Sequence, residues 1–199
     1  MRIQAAKKQK QGKIFVISGP SGSGKTTLAE SLLKVKEFKG LLVKPASFTT
    51  RAKRSKEKSG EHYFFISEKV FKEKLTAKKI LEWTRYLGYY YATSRELVEK
   101  ELAAGRNIVL CLDLKGALAI KKIYPKKTVT IFVLPPSLEA LKERIEGRCH
   151  KTGEKEICRR LDLARQELKD CDKYDYRIVN SNLSHARAGL RKIIRKEIN

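Results

Sequence analysis

Lys13-Ile-Phe-Val-Ile-Ser18, followed by Gly19-Pro-Ser-Gly-Ser-Gly24-Lys25-Thr26, is the stretch that decides the fold class of this chain. Six residues rich in β-branched and aromatic side chains read as a buried strand. The glycines after it allow a tight turn in which successive N–H groups point inward. Leu28, Leu32 and Val35 then mark one face of a helix, whose positive N-terminal end lies at the turn. Strand, G-x-x-x-x-G-K-T and helix together match the P-loop, a cradle for a nucleoside triphosphate. Its candidate ligands are Gly19, Pro20, Ser21, Gly22, Ser23, Gly24, Lys25, Thr26 and Thr27. Lys25 is placed to reach the β- and γ-phosphates, and the Thr26 hydroxyl to hold Mg²⁺.

Outward from this unit, three more apolar runs read as strands: Asn107–Leu112, Thr128–Leu134 and Tyr176–Val179. Pro135 and Pro136 stop the second of them, because proline donates nothing to a ladder. Helices separate the strands. Thr93-Ser94-Arg95-Glu96 has the form of a capping box and opens a helix through about Ala104, before Gly105. Ser137 caps a helix to about Glu146, residues near Glu154–Lys169 form a long charged one, and a last begins near Leu183. Strands alternating with helices predict an α/β protein with a central parallel sheet covered on both faces. Asp113 ends the strand Asn107–Leu112, where a second acidic partner for Mg²⁺ belongs.

Composition narrows the function classes. The chain has 199 residues, and 41% of them are hydrophobic, enough for one real core. No apolar run nears the roughly 20 residues that span a bilayer, and the basic N-terminus has no apolar stretch of a secretory signal. A cytoplasmic location is the expectation, with no membrane partner. The formal charge of +23 is of the kind nucleic-acid binders carry. The cations are spread along the whole chain without an interleaved aromatic patch, which argues against nucleic acid as the main partner. Cys111, Cys149, Cys158 and Cys171 lack the spacing of a disulfide framework or a CxxC knuckle, so free thiols are expected. Residues 1–12 read as a flexible basic tail.

From about Ser47 to Tyr91 the alternation breaks into a polar, aromatic, basic stretch with HYFFI as its clearest strand. Ser47-Phe-Thr-Thr-Arg51-Ala-Lys-Arg54, Gly60-Glu-His-Tyr63-Phe-Phe65, Glu82-Trp83 and Gly88-Tyr-Tyr-Tyr91-Ala-Thr93 follow the P-loop in order. With Leu112–Ala117, Phe132–Arg148 and Tyr174–Asn180, these blocks resemble the guanylate kinase family from about Lys13 onward. The resemblance implies a three-layer P-loop NTPase fold with an inserted nucleoside monophosphate-binding lobe and a mobile lid. Its divisions would be a core of about 13–46, 94–146 and 157–199, a lobe of about 47–93 and a lid of about 147–156.

What the resemblance implies for chemistry is Mg²⁺-dependent transfer of the ATP γ-phosphoryl to GMP, with dGMP as a further acceptor. Arg51, Arg54, Tyr63 and Tyr91 would hold the GMP phosphate; Glu82 would read the guanine N1–H and amino group, with Ser47 and Thr93 at the base edge. Arg148 and one of Arg159 or Arg160 would close over the phosphoryl group, and Asn180 would lie near the adenine. The residue types suit these roles. Arginines three apart beside tyrosyl hydroxyls suit a phosphate, and one carboxylate matches two adjacent guanine donors where adenine would leave it unpaired. The attacking phosphate is already an anion, so no general base is needed.

Two positions depart from the family, which usually carries an acid two residues before the aspartate and a glutamine two after it. Cys111 and Lys115 stand there, and Lys115 either adds a cation near the phosphates or points outward. Two other readings remain: a family-like interaction module without catalysis, and a ribose 1,5-bisphosphate phosphokinase of the same fold. Retention of Gly24-Lys25-Thr26 argues against the first, and Glu82 with Ser47 against the second. The sequence leaves monomer and homo-oligomer undecided.

Overall fold

The computed structural model describes residues 12–55, 57–147 and 153–198. Its centre is strand β1 (Ile14–Ser18), every residue of which is buried. β1 lies between β7 (Asn107–Cys111) and β8 (Thr128–Leu134), with β2 (Leu42–Val43) outside β7 and β9 (Tyr176–Val179) outside β8. All four pairings are parallel, with Phe15 level with both Val109 and Val129.

A strand buried on both faces sends alternate side chains to opposite sides. Phe15, Ile17, Val109, Ile131 and Val133 face one side. There they meet Leu28 and Leu32 of α1 (Lys25–Leu33) and Leu190 and Ile194 of α7 (Leu183–Ile198). Ile14, Val16, Ile108, Leu110 and Phe132 face the other, against Val98 and Leu102 of α3 (Arg95–Ala103) and Ala117 and Ile120 of α4 (Leu114–Ile123). Each fully buried aliphatic or aromatic side chain contributes about 1.5–3 kcal/mol of transfer free energy. The three-layer α/β fold thus follows from a period-2 apolar pattern laid between period-3.6 helices.

The strands read from periodicity are found at Ile14–Ser18, Asn107–Cys111, Thr128–Leu134 and Tyr176–Val179, and Ser137 caps α5 (Leu138–Glu146) through the Ala140 N–H. The cap of α3 differs from the reading. Ser94, not Thr93, accepts from the Leu97 N–H, because the Thr93 hydroxyl is committed to Glu82. The two-residue β2 is too short to carry any period.

A second sheet lies within the aromatic stretch, in the order β4 (Tyr63–Phe65), β3 (Ser47–Thr49), β6 (Tyr89–Ser94), β5 (Ile80–Tyr86). β3 pairs parallel to β4 and antiparallel to β6, and β5 and β6 form a hairpin. The hairpin turn has positive φ at Leu87 (50°) and Gly88 (89°), the hand that matches strand twist. α2 (Glu68–Thr76) covers this sheet through Phe71, which stacks on Tyr90 with ring centroids 4.6 Å apart. Phe48, Phe71, Ile80 and Ala92 give the lobe its own small core, with Trp83 against it. Sequence periodicity showed only one of these four strands.

α5 and α6 (Glu154–Lys169) pack through Leu141, Ile145 and Ala164. Arg148, Cys149 and His150, between them, lie outside the described residues, as does nearly all of the expected N-terminal tail.

Candidate active site

The turn after β1 is built on backbone that only glycine takes readily. Gly19 has φ 138°, and a β-carbon there would stand 2.3 Å from the Val133 carbonyl oxygen. Gly24, with φ 95°, is the N-cap of α1, and a β-carbon there would stand 2.4 Å from Asn180 Nδ2. No side chain caps α1 and no acid occupies its first turn, so its N-terminal amides and dipole are left to an anion. Lys25 Nζ donates to the carbonyls of Gly19 and Pro20, the latter at 2.9 Å. Ser23 is buried, and its carbonyl accepts from Asn180 Nδ2 at 2.7 Å. Asn180 therefore holds the loop from β9's end, and its own carbonyl accepts from Arg144 at 3.0 Å.

One cleft of about 290 Å³ joins this loop to the second sheet. Gly19, Ser21, Gly22, Gly24, Lys25 and Thr26 line it from the loop, and Ser47, Tyr63, Glu82 and Tyr91 from the lobe. Cys111 and Asp113, at the end of β7, line it too. Burial pushes the Cys111 thiol up from its usual range, with Lys44 and Lys25 opposing.

Glu82 is 7% exposed. Its Oε1 accepts the Thr93 hydroxyl. Burial raises its carboxyl to about 7; the Thr93 hydrogen bond opposes that, and the Asp113 charge adds to it. Asp113 is the N-cap of α4, its Oδ1 accepting from the Gly116 N–H at 2.8 Å. A β-carbon on Gly116 would come within 2.7 Å of Glu82 Oε2 and 3.3 Å of Asp113 Oδ1, so the two carboxylates are neighbours.

Tyr63 and Tyr91 meet edge to face at 5.9 Å, and burial raises the Tyr63 phenol. Arg51 lies over the Tyr63 ring at 5.6 Å and over Phe65 at 5.7 Å. It does not line the cleft surface itself: its two terminal nitrogens are on the Glu57 carboxylate, at 2.9 and 2.7 Å. Arg54 is exposed, and its backbone N–H donates to the same Glu57 at 2.9 Å.

On α6, Arg160 is half-buried and paired with Glu156, while Arg159 is exposed near Arg85, Leu87 and Gly88 of the lobe hairpin. Lys115 does not line the cleft; its ammonium lies over the Trp83 ring, 5.4 Å from the centroid.

Several cleft residues escaped the sequence reading. Thr84 and Tyr86 line the cleft beside Glu82, and their i, i+2, i+4 spacing on β5 was the available signal. Glu167 of α6 also lines it, its carboxyl raised by burial while Lys25 opposes. Glu57 and Gly116 carried no local signal.

Thr26 and Asp113 offer the oxygen donors a hard cation takes. Among the described residues no group of three or more His, Cys, Asp or Glu converges on a metal position. That donor set fits Mg²⁺, which keeps waters and substrate phosphates among its ligands and needs no all-protein cage.

A parallel sheet whose central strand feeds a P-loop, opening into a cleft that ends in a lobe with a buried carboxylate, defines a P-loop nucleotide-binding protein. The guanylate kinase family model matches residues 11–197. Among the relatives, a guanylate kinase of Photorhabdus laumondii is 42% identical over 187 residues, 94% of this chain and 89% of that one. One of Thermotoga maritima is 41% identical, covering 94% and 88%. The crystal structure of guanylate kinase from Anaplasma phagocytophilum superposes with a TM-score of 0.77 at 30% identity, covering 94% of this chain and 87% of that one. The chain belongs to the guanylate kinase family.

Proposed function

We propose that this protein is a nucleoside monophosphate kinase that transfers the γ-phosphoryl of ATP to GMP, giving ADP and GDP, with dGMP as a second acceptor. The observation that carries the reading is the cleft lined both by Lys25 of the P-loop and by the buried, threonine-tethered Glu82. Membership of the family supports the same reaction.

The loop N–H groups from Gly19 to Thr27, Pro20 excepted, and the Lys25 ammonium hold the ATP phosphates, and Asn180 keeps that loop in place. Glu82 accepts from the guanine N1–H and amino group, with Ser47 and Thr93 at the base edge. Tyr63, Tyr91, Arg51 and Arg54 hold the GMP phosphate so that one of its oxygens faces the γ-phosphorus. The bond to ADP breaks as the bond to GMP forms, and the acceptor oxygen needs no base because it is already anionic. Thr26 and Asp113, with the substrate phosphates, would hold Mg²⁺, which would neutralise phosphate charge when bound. Arg148, from the lid segment of about 147–156, and one of the adjacent Arg159 and Arg160, from the helix after it, would bring cations to the transferring phosphoryl. The core of about 13–46, 94–146 and 157–199 and the lobe of about 47–93 then carry one substrate each.

Among the described residues no helix is long and apolar enough to cross a membrane, and a cytoplasmic enzyme of small-molecule substrates is the proposed setting. A coupled assay of ADP release with GMP, dGMP, AMP and ribose 1,5-bisphosphate at varied Mg²⁺ tests the proposal. Turnover with GMP and dGMP well above AMP is expected; no ADP with any acceptor would return the protein to a binding module.

A further inference from the structure

The first turn of α4 packs against β5 at two successive residues. Lys115 lies on the Trp83 ring, and Gly116 lies under the Glu82 carboxylate. Gly116 is helical and makes no demand for positive φ, so alanine suits its backbone. Space is what excludes a side chain there. A β-carbon would stand 2.7 Å from Glu82 Oε2, inside van der Waals contact, with Leu112 Cβ at 3.2 Å as the next neighbour. The Glu82 carboxylate is fixed on its other side, since Oε1 holds the Thr93 hydroxyl and the side chain is buried.

We infer that Gly116 is a positioning residue for acceptor specificity: its bare α-carbon sets where the Glu82 carboxylate sits, and so whether that carboxylate meets the guanine edge. This rests on the reading of Glu82 as the guanine-reading group. A methyl at position 116 meets side-chain atoms, with Glu82 Oε2 closest and Leu112 Cβ and Asp113 Oδ1 at 3.2 and 3.3 Å. The fold therefore survives, and the clash is relieved by displacing the carboxylate against its Thr93 tether. Helix propensity alone gives alanine the advantage over glycine in a helix. Stability and substrate recognition therefore move in opposite directions, which a generally disruptive substitution would not produce.

The test uses the full chain and its Gly116→Ala variant. The expected result is a KM for GMP raised about tenfold or more, equivalent to about 1.4 kcal/mol. The KM for ATP stays within twofold and Tm is unchanged or higher. In a Glu82→Ala background, adding Gly116→Ala is expected to change the KM for GMP less than twofold, because the glycine acts through the carboxylate. A KM for GMP within twofold of the parent in Gly116→Ala, or an equal penalty with and without Glu82, overturns the inference. If the single variant does not fold, folding of the Glu82→Ala/Gly116→Ala pair supports the clash and its failure overturns it. A parent that does not turn over GMP overturns the functional reading and this inference with it. An active parent with an indifferent Gly116→Ala overturns the inference alone.

Discussion

Arg51 places both terminal nitrogens of its guanidinium on the Glu57 carboxylate, at 2.9 and 2.7 Å, with the two side chains only 11% and 14% exposed. A carboxylate presents to arginine the same forked pair of acceptors as a phosphate. Glu57 thus occupies the fork that the proposed mechanism gives to the GMP phosphate, and Arg51 Nε is buried without a partner among the described residues. The Arg51 hydrogen bond, aided by the Arg54 N–H, holds the Glu57 carboxyl down at about 2, so the pair is ionised at neutral pH.

Glu57→Gln removes the counter-charge and leaves a largely buried cation. The expected cost without nucleotide is about 1–2 kcal/mol, or about 4 °C in Tm for a chain of this size. GMP restores an anion to the same fork, so the rise in Tm on adding GMP is expected to be larger in the variant than in the parent. Thermal melts with and without GMP check this; equal shifts in both proteins would separate Glu57 from the phosphate site. Because the folded-state pKa is depressed, the stabilisation from this pair is present above the unfolded value near 4.5 and lost as pH falls toward about 2.

Glu82 titrates in the opposite sense. Burial raises its folded pKa from 4.5 to about 7, so its charged form opposes folding: the native state is favoured below about 4.5 and loses that advantage as pH rises through about 7. Guanine needs the ionised carboxylate as a double acceptor. The KM for GMP is therefore expected to fall as pH rises from 6 to 8. Glu82→Gln removes that dependence and leaves only the titration of the GMP phosphate itself, with pKa near 6. Parallel pH profiles of the two proteins would show that Glu82 is not the group being read.

How far the sequence went depended on whether a residue's neighbours in space were also its neighbours in the chain. β1, β8, β9 and α6 sit in a sheet and helix layer whose burial follows a regular period, and their ends were legible to within a residue. β5, Ile-Leu-Glu-Trp-Thr-Arg-Tyr, was not, because Glu82, Thr84 and Tyr86 face the cleft while Ile80 and Trp83 join the lobe core across a register shift. Polar residues facing a cleft look like a loop until a substrate is imagined there. The capping form at Thr93 was satisfied by Ser94 for the same reason, a tertiary demand from Glu82 overriding a local signal. The P-loop was legible whole, since its amides, glycines and lysine are consecutive. Gly116 became visible only when α4 met β5, while Glu57 pairs with Arg51 and Arg54 inside one loop that carries no period to read.

α6 distinguishes its two adjacent arginines. Arg160 is 17% exposed, paired with Glu156, and its buried Nε has no partner among the described residues. Arg159 lies at the surface beside the Arg85–Gly88 turn. Arg160→Ala is expected to lower kcat on the order of 100-fold, the cost of removing one preorganised charge donor. Arg159→Ala is expected to stay within several-fold. Single-turnover rates at saturating ATP and GMP measure the difference, and a larger loss at Arg159 would reverse the assignment.

Asn180 offers a way to disturb one substrate without the other. Its amide donates to the Ser23 carbonyl at 2.7 Å, while its backbone N–H donates to the Leu134 carbonyl at 2.8 Å, linking β8, β9 and the P-loop. Gly24 has no side chain where a β-carbon would lie 2.4 Å from that same amide, so loop and asparagine close on each other directly. Asn180→Ala leaves the Ser23 carbonyl unpaired and opens space behind Gly24, at a cost of about 1–2 kcal/mol in loop order. Cradle geometry governs the triphosphate, so the KM for ATP is expected to rise about tenfold while the KM for GMP stays within twofold. Initial rates with each substrate varied at saturation of the other measure both constants. A penalty shared equally by the two substrates would place the role of Asn180 in the whole fold and not in the loop it touches.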